Sequence, residues 1–211
     1  MKDLSMEELT SQYFDVLKEL GNIGAGNATT ALAQMIDCKV DMSVPQVKLL
    51  EFKEIGAIVG GDDQIMVSIY LQVEGDVEGS MMFILSKSAA AHLVNKLMCG
   101  MLGIDEKNVD DYTFGEMECS AIKEVGNIIT GAYLNALSGL TNLKIYPSVP
   151  QLGIDMAGAL LSVPAVEFGV LGDKILLIQT KFSDEIDLDG YFILIPEVES
   201  YEKILTALGV M

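Results

Sequence analysis

Ten residues, ELGNIGAGNA at 19–28, recur in outline as EVGNIITGAY at 124–133. Both stretches read Glu-x-Gly-Asn-Ile, and both carry a glycine four residues after the Asn, at Gly26 and Gly131. The match extends outward: Asp15 and Ser120 precede the Glu by four, and Pro45 and Pro150 follow the Asn by 23. Each of these five pairs is separated by the same 105 residues. A five-point pattern repeated at one offset is expected of a duplicated unit, so the chain is read as one domain, 1–211, made of two homologous halves, about 1–103 and 104–211.

Helical signals surround both copies. Ser5 with Glu8 is a capping-box pattern, with Leu4 and Leu9 placed as a hydrophobic staple. Apolar residues then recur at Leu9, Tyr13, Val16, Leu20 and Ile23, which predicts one core-facing stripe on a long helix. At about 100° per residue, Asp15, Glu19, Asn22 and Gly26 fall together to one side of that stripe. Thr113 with Glu116, and Tyr112 with Met117, repeat the start signals ahead of a second long helix bearing Ser120, Glu124, Asn127 and Gly131. Glycine inside a helix costs about 1 kcal/mol relative to alanine. Close approach of another backbone explains Gly26 and Gly131, whereas Gly24, nearer the apolar stripe, suits packing within the protein.

The remaining segments alternate as strands. KVDMSVPQVKLLEF carries strand character, IMVSIYLQVEG (65–75) and VEGSMMFILS (77–86) form a hairpin, and Ser86 or Ser88 caps a helix ending at Gly100. GIDEKNVDDY (103–112) reads as a linker. In the second half, KILLIQTKF (174–182) pairs with DGYFILIP (189–196), ahead of a last helix at 197–209. Gly190 matches Gly79 at an offset of 111, so about six residues are added after the second Pro, at or beside GIDMAG. GIDMAGALL (153–161) itself fits helix or strand. The expected fold is α/β (α+β): antiparallel strands flanked by helices around a pseudo-twofold axis, with two long helices carrying the sites.

Composition removes several functions. Thirteen Lys and Arg against 31 Asp and Glu leave a formal charge of -18, which repels nucleic-acid backbones and anionic membrane surfaces. Cys38, Cys99 and Cys119 are too scattered for a disulfide framework and read as reduced core residues of a cytoplasmic protein; neither a signal peptide nor a membrane span is expected. His92, the single histidine, is expected to be a partly buried or surface residue of a helix, and one histidine supports neither a metal site nor a Ser-His-Asp or Cys-His arrangement. GAGNAT follows a helix rather than a strand and lacks Gly-Lys-Ser/Thr, so nucleotide binding is discarded.

A carboxylate and a carboxamide three residues apart make a small polar ledge that lacks a nucleophile, but such a ledge can complete a partner's site. If the partner carries a labile phosphoryl group with its own Mg²⁺, the missing element is a water held in line, which an Asn amide orients without adding charge. The Glu is suited to pair with a Lys beside that phosphate.

The spacing Asp/Ser-x3-Glu-x2-Asn with a Pro after 22 further residues resembles the motif of the CheC, CheX and FliY phosphatases of bacterial chemotaxis, over essentially the whole chain. Two copies are similar to the CheC branch; CheX has one, and the chain shows neither the regulator-binding peptide nor the FliN-like domain of FliY. The resemblance implies dephosphorylation of the response regulator CheY, with Asn22 and Asn127 orienting water and Glu19 and Glu124 contacting the regulator's Lys. It assigns no cofactor to this chain, Mg²⁺ coming with phosphorylated CheY, and it leaves Asp15, Gly26, Ser120 and Gly131 as partner-facing positions. Asp15 against Ser120 puts equal activity of the two sites in question. The resemblance also implies the receptor deamidase CheD as a second partner; the segment Gly153 to Leu161, which breaks the internal symmetry, makes Asp155 the expected contact, the alternative being a spacer that merely closes the sheet. A non-catalytic adaptor for CheY or CheD is the alternative.

Overall fold

The computed structural model describes residues 11–36, 41–42, 46–51, 54–103, 107–109, 112–168, 174–183 and 188–209, for some of which, Asp15 included, only the backbone is described. The capping box at Ser5 and Glu8, its Leu4 and Leu9 staple, Cys38 and Pro45 lie outside the described residues.

One order of elements occurs twice. The first half runs α1 (Ser11–Ile36), β1 (Asp41–Met42), β2 (Gln46–Glu51), α2 (Ile55–Ile58), β3 (Ile65–Gly75), β4 (Gly79–Ser86) and α3 (Lys87–Leu102). The second runs α4 (Glu116–Thr141), β5 (Ile145–Pro147), β6 (Gln151–Met156), α5 (Ala157–Phe168), β7 (Lys174–Ser183), β8 (Leu188–Pro196) and α6 (Val198–Ala207). Helices α1 and α4 each have 26 residues, and both of their ends are 105 apart.

All strand pairs are antiparallel and belong to one sheet, in the order β1-β7-β8-β4-β3-β5, with β2 continuing beside β7 and β6 beside β3. The order reads alike from both ends when each strand is exchanged for its counterpart, which places the approximate twofold axis between β4 and β8. The predicted hairpins are β3 with β4 and β7 with β8. Each half's first two strands cross to the other half's hairpin, so the halves interlock.

Alternation splits the sheet into two faces. Val67, Ile69, Leu71, Met81, Phe83, Leu85, Phe192 and Leu194 join residues of α1, α3, α4 and α6 in the larger core. Met66, Tyr70, Met82, Ile84, Tyr191 and Ile193 face α2 and α5. Phe83 and Phe192 stack with centroids 4.6 Å apart, and Tyr133 of α4 stacks on Phe192 at 5.7 Å, so one aromatic column ties α4 to the sheet near the axis.

Several expectations need correction. Helix α4 is capped by Gly115 rather than Thr113: the Glu118 carboxylate accepts the Gly115 N–H at 3.1 Å, and Gly115 has no side chain to return the bond. Met117 is 57% exposed and is no staple, while Tyr112 is buried and packs against the Phe114 ring. Helix α3 continues past Gly100 to Leu102 and ends on Gly103 in the left-handed conformation (φ 63°), with Ser86 as its N-cap, accepting from Ala89 N–H at 3.1 Å. GIDMAGALL is strand up to Met156 and helix after it. Because β2 and β6 keep the 105-residue offset while Gly79 and Gly190 are 111 apart, the added length lies between Met156 and Gly190, a span in which α5 has 12 residues against 4 in α2. The two described cysteines are not core residues: Cys99 is exposed and Cys119 half-buried, both as free thiols. His92 is exposed, as expected.

Candidate active site

The two long helices place the two ledges. On α1, Glu19 is exposed and Asn22 half-buried; on α4, Ser120, Glu124 and Asn127 are all exposed. A separation of three residues brings each Glu and Asn onto neighbouring positions of one helix surface. What lies inward explains why they face out. On α1 the buried positions include Gly21, Gly24, Ala25, Ala28, Thr29 and Leu32; on α4 they include Ile122, Val125, Gly126, Ile129, Tyr133 and Leu137. Ile23, assigned to the core stripe, is half-buried, and the stripe residues before it lack a described side-chain environment.

The glycines fall into two kinds. A Cβ on Gly24 would lie 2.5 Å from the Tyr133 ring, and one on Gly126 would lie 2.6 Å from Ile69 Cγ1, so both are dictated by packing. A Cβ on Gly26 or Gly131 would meet nothing within 4 Å. Neither of these has a positive φ, so nothing in this chain's own packing or backbone demands glycine there. Each lies four residues beyond its Asn, one turn along the ledge.

The start of α4 is held from the linker. Asn95 of α3 donates to the Lys107 carbonyl at 2.7 Å and accepts the Lys107 N–H at 3.1 Å. The Lys107 ammonium pairs with Glu118, lies over the Tyr112 ring and is raised in pKa chiefly by the Glu118 hydrogen bond. The same bond holds the Glu118 carboxyl below its ordinary value. This clasp fixes the first turn of the helix that carries Ser120 and Glu124.

Asp155 stands apart from both ledges. It is an exposed residue of β6, paired with Met66, and its carboxylate accepts the Met156 N–H at 2.8 Å. Pro150 is half-buried before β6, following a tie in which Ser148 exchanges hydrogen bonds with the Gln72 backbone. Among the described residues, no cluster of three or more His, Cys, Asp or Glu could hold a metal ion, and no helix is long and apolar enough to cross a membrane.

One side chain escaped the sequence reading. Met117 lies three residues before Ser120 and seven before Glu124, on the same exposed face; that spacing was the available signal.

Comparison with known proteins assigns the family. The model of the CheC-like family matches residues 15–49 and 117–154, each segment enclosing one Glu-Asn pair. The chain is 38% identical to the protein named CheY-P phosphatase CheC of Bacillus subtilis over 204 residues, covering 95% of this chain and 96% of that protein. Its fold resembles Thermotoga maritima FliY with a TM-score of 0.74 at 20% identity, covering 96% of this chain and 98% of that one. It also resembles the CheX-CheY-BeF3-Mg complex of Borrelia burgdorferi, at 0.54 and 20% identity, over 82% of this chain and 95% of the other. Identity of that degree along nearly the full length of both chains, with matches around both ledges, means that this chain belongs to the CheC-like family.

Proposed function

We propose that the chain hydrolyses the aspartyl phosphate of the response regulator CheY, using both ledges. The observation that carries this reading is the pair of outward-facing Glu-Asn ledges, each followed by a helical glycine that its own fold does not require. A missing side chain one turn beyond the Asn leaves room for a docked protein. Support also comes from the B. subtilis relative named CheY-P phosphatase.

The chemistry follows from what the ledge contains. The Asn22 or Asn127 amide hydrogen-bonds a water and holds it in line with the phosphorus. The water oxygen forms the new P–O bond as the bond to the regulator's Asp carboxylate breaks, releasing inorganic phosphate. A neutral amide is the apt group, since a carboxylate would repel the phosphoryl oxygens. Mg²⁺, bound by the regulator, neutralises charge on those oxygens. Glu19 or Glu124 pairs with the regulator's Lys and sets the register of docking.

The test is phosphate release from phosphorylated CheY. Losing one transition-state hydrogen bond costs roughly 10²- to 10³-fold in rate. Asn22→Ala or Asn127→Ala alone leaves the other ledge working, whereas the double variant falls by about the single-site factor. A folded double variant that still hydrolyses phosphorylated CheY at the native rate overturns the two ledges as active sites, and a native chain that leaves the rate of phosphate loss unchanged belongs to the adaptor class.

CheD is proposed as a second partner, with Asp155 as a contact. Its exposed position on β6, the outer strand that leads into the enlarged α5, supports this reading. Asp155→Lys is expected to weaken CheD binding in titration calorimetry and to leave phosphate release intact. The twin element order further supports descent of the two halves from one duplicated unit, and a cytoplasmic site of action is proposed.

A further inference from the structure

The exposed face of α4 begins one turn before its motif. Met117 lies about 20° around the helix from Glu124 and about 10 Å along it. Helix α4 crosses the sheet with Gly126 over Ile69, and β5, which follows it, pairs with the Gly75 end of β3. The start of α4 therefore points toward the Ile65 end. There Ile65 and Met156 are direct cross-strand partners, and Ile154 lies opposite Val67. These residues share the helix-covered face, because Val67, Ile69 and Leu152 on that face contribute to the larger core. Met117 (57%), Met156 (45%), Ile65 (41%) and Ile154 (39%) are four of the nine large hydrophobics exposed among the described residues; the last three lie together at this end of the sheet, and the start of α4, which bears Met117, points toward it.

The corresponding positions of the first half differ in sequence. The residues 105 earlier than Met117, Ile154 and Met156 are Gln12, Leu49 and Glu51. The register pairs Glu51 with Lys174 where the other edge pairs Met156 with Ile65. Met156 and Ile65 thus occupy the register position that Glu51 and Lys174 hold at the opposite edge of the sheet.

Resting on the phosphatase reading, we infer that CheY docks on the second ledge through this apolar flank, so that the two ledges bind the same regulator with unequal affinity. Met117 continues the exposed helix face of Ser120, Glu124 and Asn127 by one turn, toward the end of the sheet that bears Ile65, Ile154 and Met156, and a standard interface buries roughly 800 Å² on each partner. Grouped exposed hydrophobics beside a polar site are characteristic of surfaces that a protein partner covers. Glu124 sets register and Asn127 acts on the water; Met117 and Met156 add buried area.

The test isolates each ledge by blocking the other. Glu19→Lys leaves the second ledge and Glu124→Lys the first, and each chain is titrated with CheY activated by beryllofluoride and Mg²⁺. The second ledge is expected to bind about tenfold more tightly, and M117Q with M156E, the residues of the first half, to remove that advantage. In turnover the loss falls on KM rather than kcat. Grafting Gln12→Met, Glu51→Met and Lys174→Ile onto the first-ledge chain is expected to tighten it. Equal affinity at the two ledges, or no response to M117Q and M156E, overturns the inference. So does sedimentation showing a dimer of the native chain that M117Q disperses, because the flank is then covered by a second copy. Binding is read without turnover, so failure of hydrolysis would strike the phosphatase reading and leave the affinity comparison decisive.

Discussion

Gly24 of α1 lies directly against the ring of Tyr133 of α4, with room for a hydrogen and none for a methyl group. The two helices that carry the ledges are thereby locked at close range, and the same ring stacks on Phe192 of the sheet. Gly24→Ala is expected to cost about 1–3 kcal/mol as an overpacking change, despite the better helix propensity of alanine. Urea unfolding of the variant should show a lower midpoint with an unchanged slope.

The opposite sign is expected two residues further along α1 and at its counterpart on α4. At Gly26 and Gly131 a methyl group meets nothing, so Gly→Ala gains helix propensity of up to about 1 kcal/mol at each position. If these glycines make room for the regulator, the stabilised variants lose phosphatase activity. Thermal unfolding and phosphate release, measured on the same samples, would separate the two effects; gain in both would return the glycines to chance.

Tyr133 presents a hydroxyl that is fully buried without a hydrogen-bond partner, and burial pushes its pKa upward. An unsatisfied buried polar group costs about 1–3 kcal/mol. Tyr133→Phe keeps the ring and removes that cost, so the midpoint of thermal unfolding is expected to rise. A fall would mean that the hydroxyl is satisfied in solution.

Glu118 carries a pH dependence whose sign is fixed by its surroundings. Hydrogen bonds from Lys107 and from the Gly115 N–H hold its pKa below the ordinary 4.5, so the native fold prefers the carboxylate. The stabilisation is fully present above that ordinary value and is lost as pH falls through the depressed one. Glu118→Gln is expected to cost about 1 kcal/mol at neutral pH, with the gap to the native chain closing in acid. A gap of constant size from neutral to acid pH would exclude the carboxylate as its source.

Local signals in the sequence carried far. Alternation over 65–75 and 174–182 marks strands that pair with their sequence neighbours, and a pattern repeated at one offset marks both ledge helices, because these are properties of contiguous residues. The start of α4 was misplaced because Thr113 and Glu116 mimic the spacing that Gly115 and Glu118 use, and only the carboxylate's position distinguishes them. Asp155 could not be assigned to β6 because GIDMAGALL contains the change from strand to helix within it. The crossing of β1 and β2 to β7 pairs residues more than 120 apart in the chain, and nothing in their immediate sequence records the partner. The flank around Met117 was hidden for the same reason, since Ile65 and Met156 are neighbours only in the sheet.

That crossing bears on how the molecule can be taken apart. A polypeptide cut after α3 would keep its central hairpin but leave β1 and β2 with no β7 to join, and β3 with neither β5 nor β6 along its outer edge. Such a fragment could satisfy its backbone only by borrowing those strands from another molecule, in reciprocal exchange or in an open chain of exchanges. The 211-residue chain makes the exchange with itself, so the two ledges are expected to melt together in one transition rather than independently.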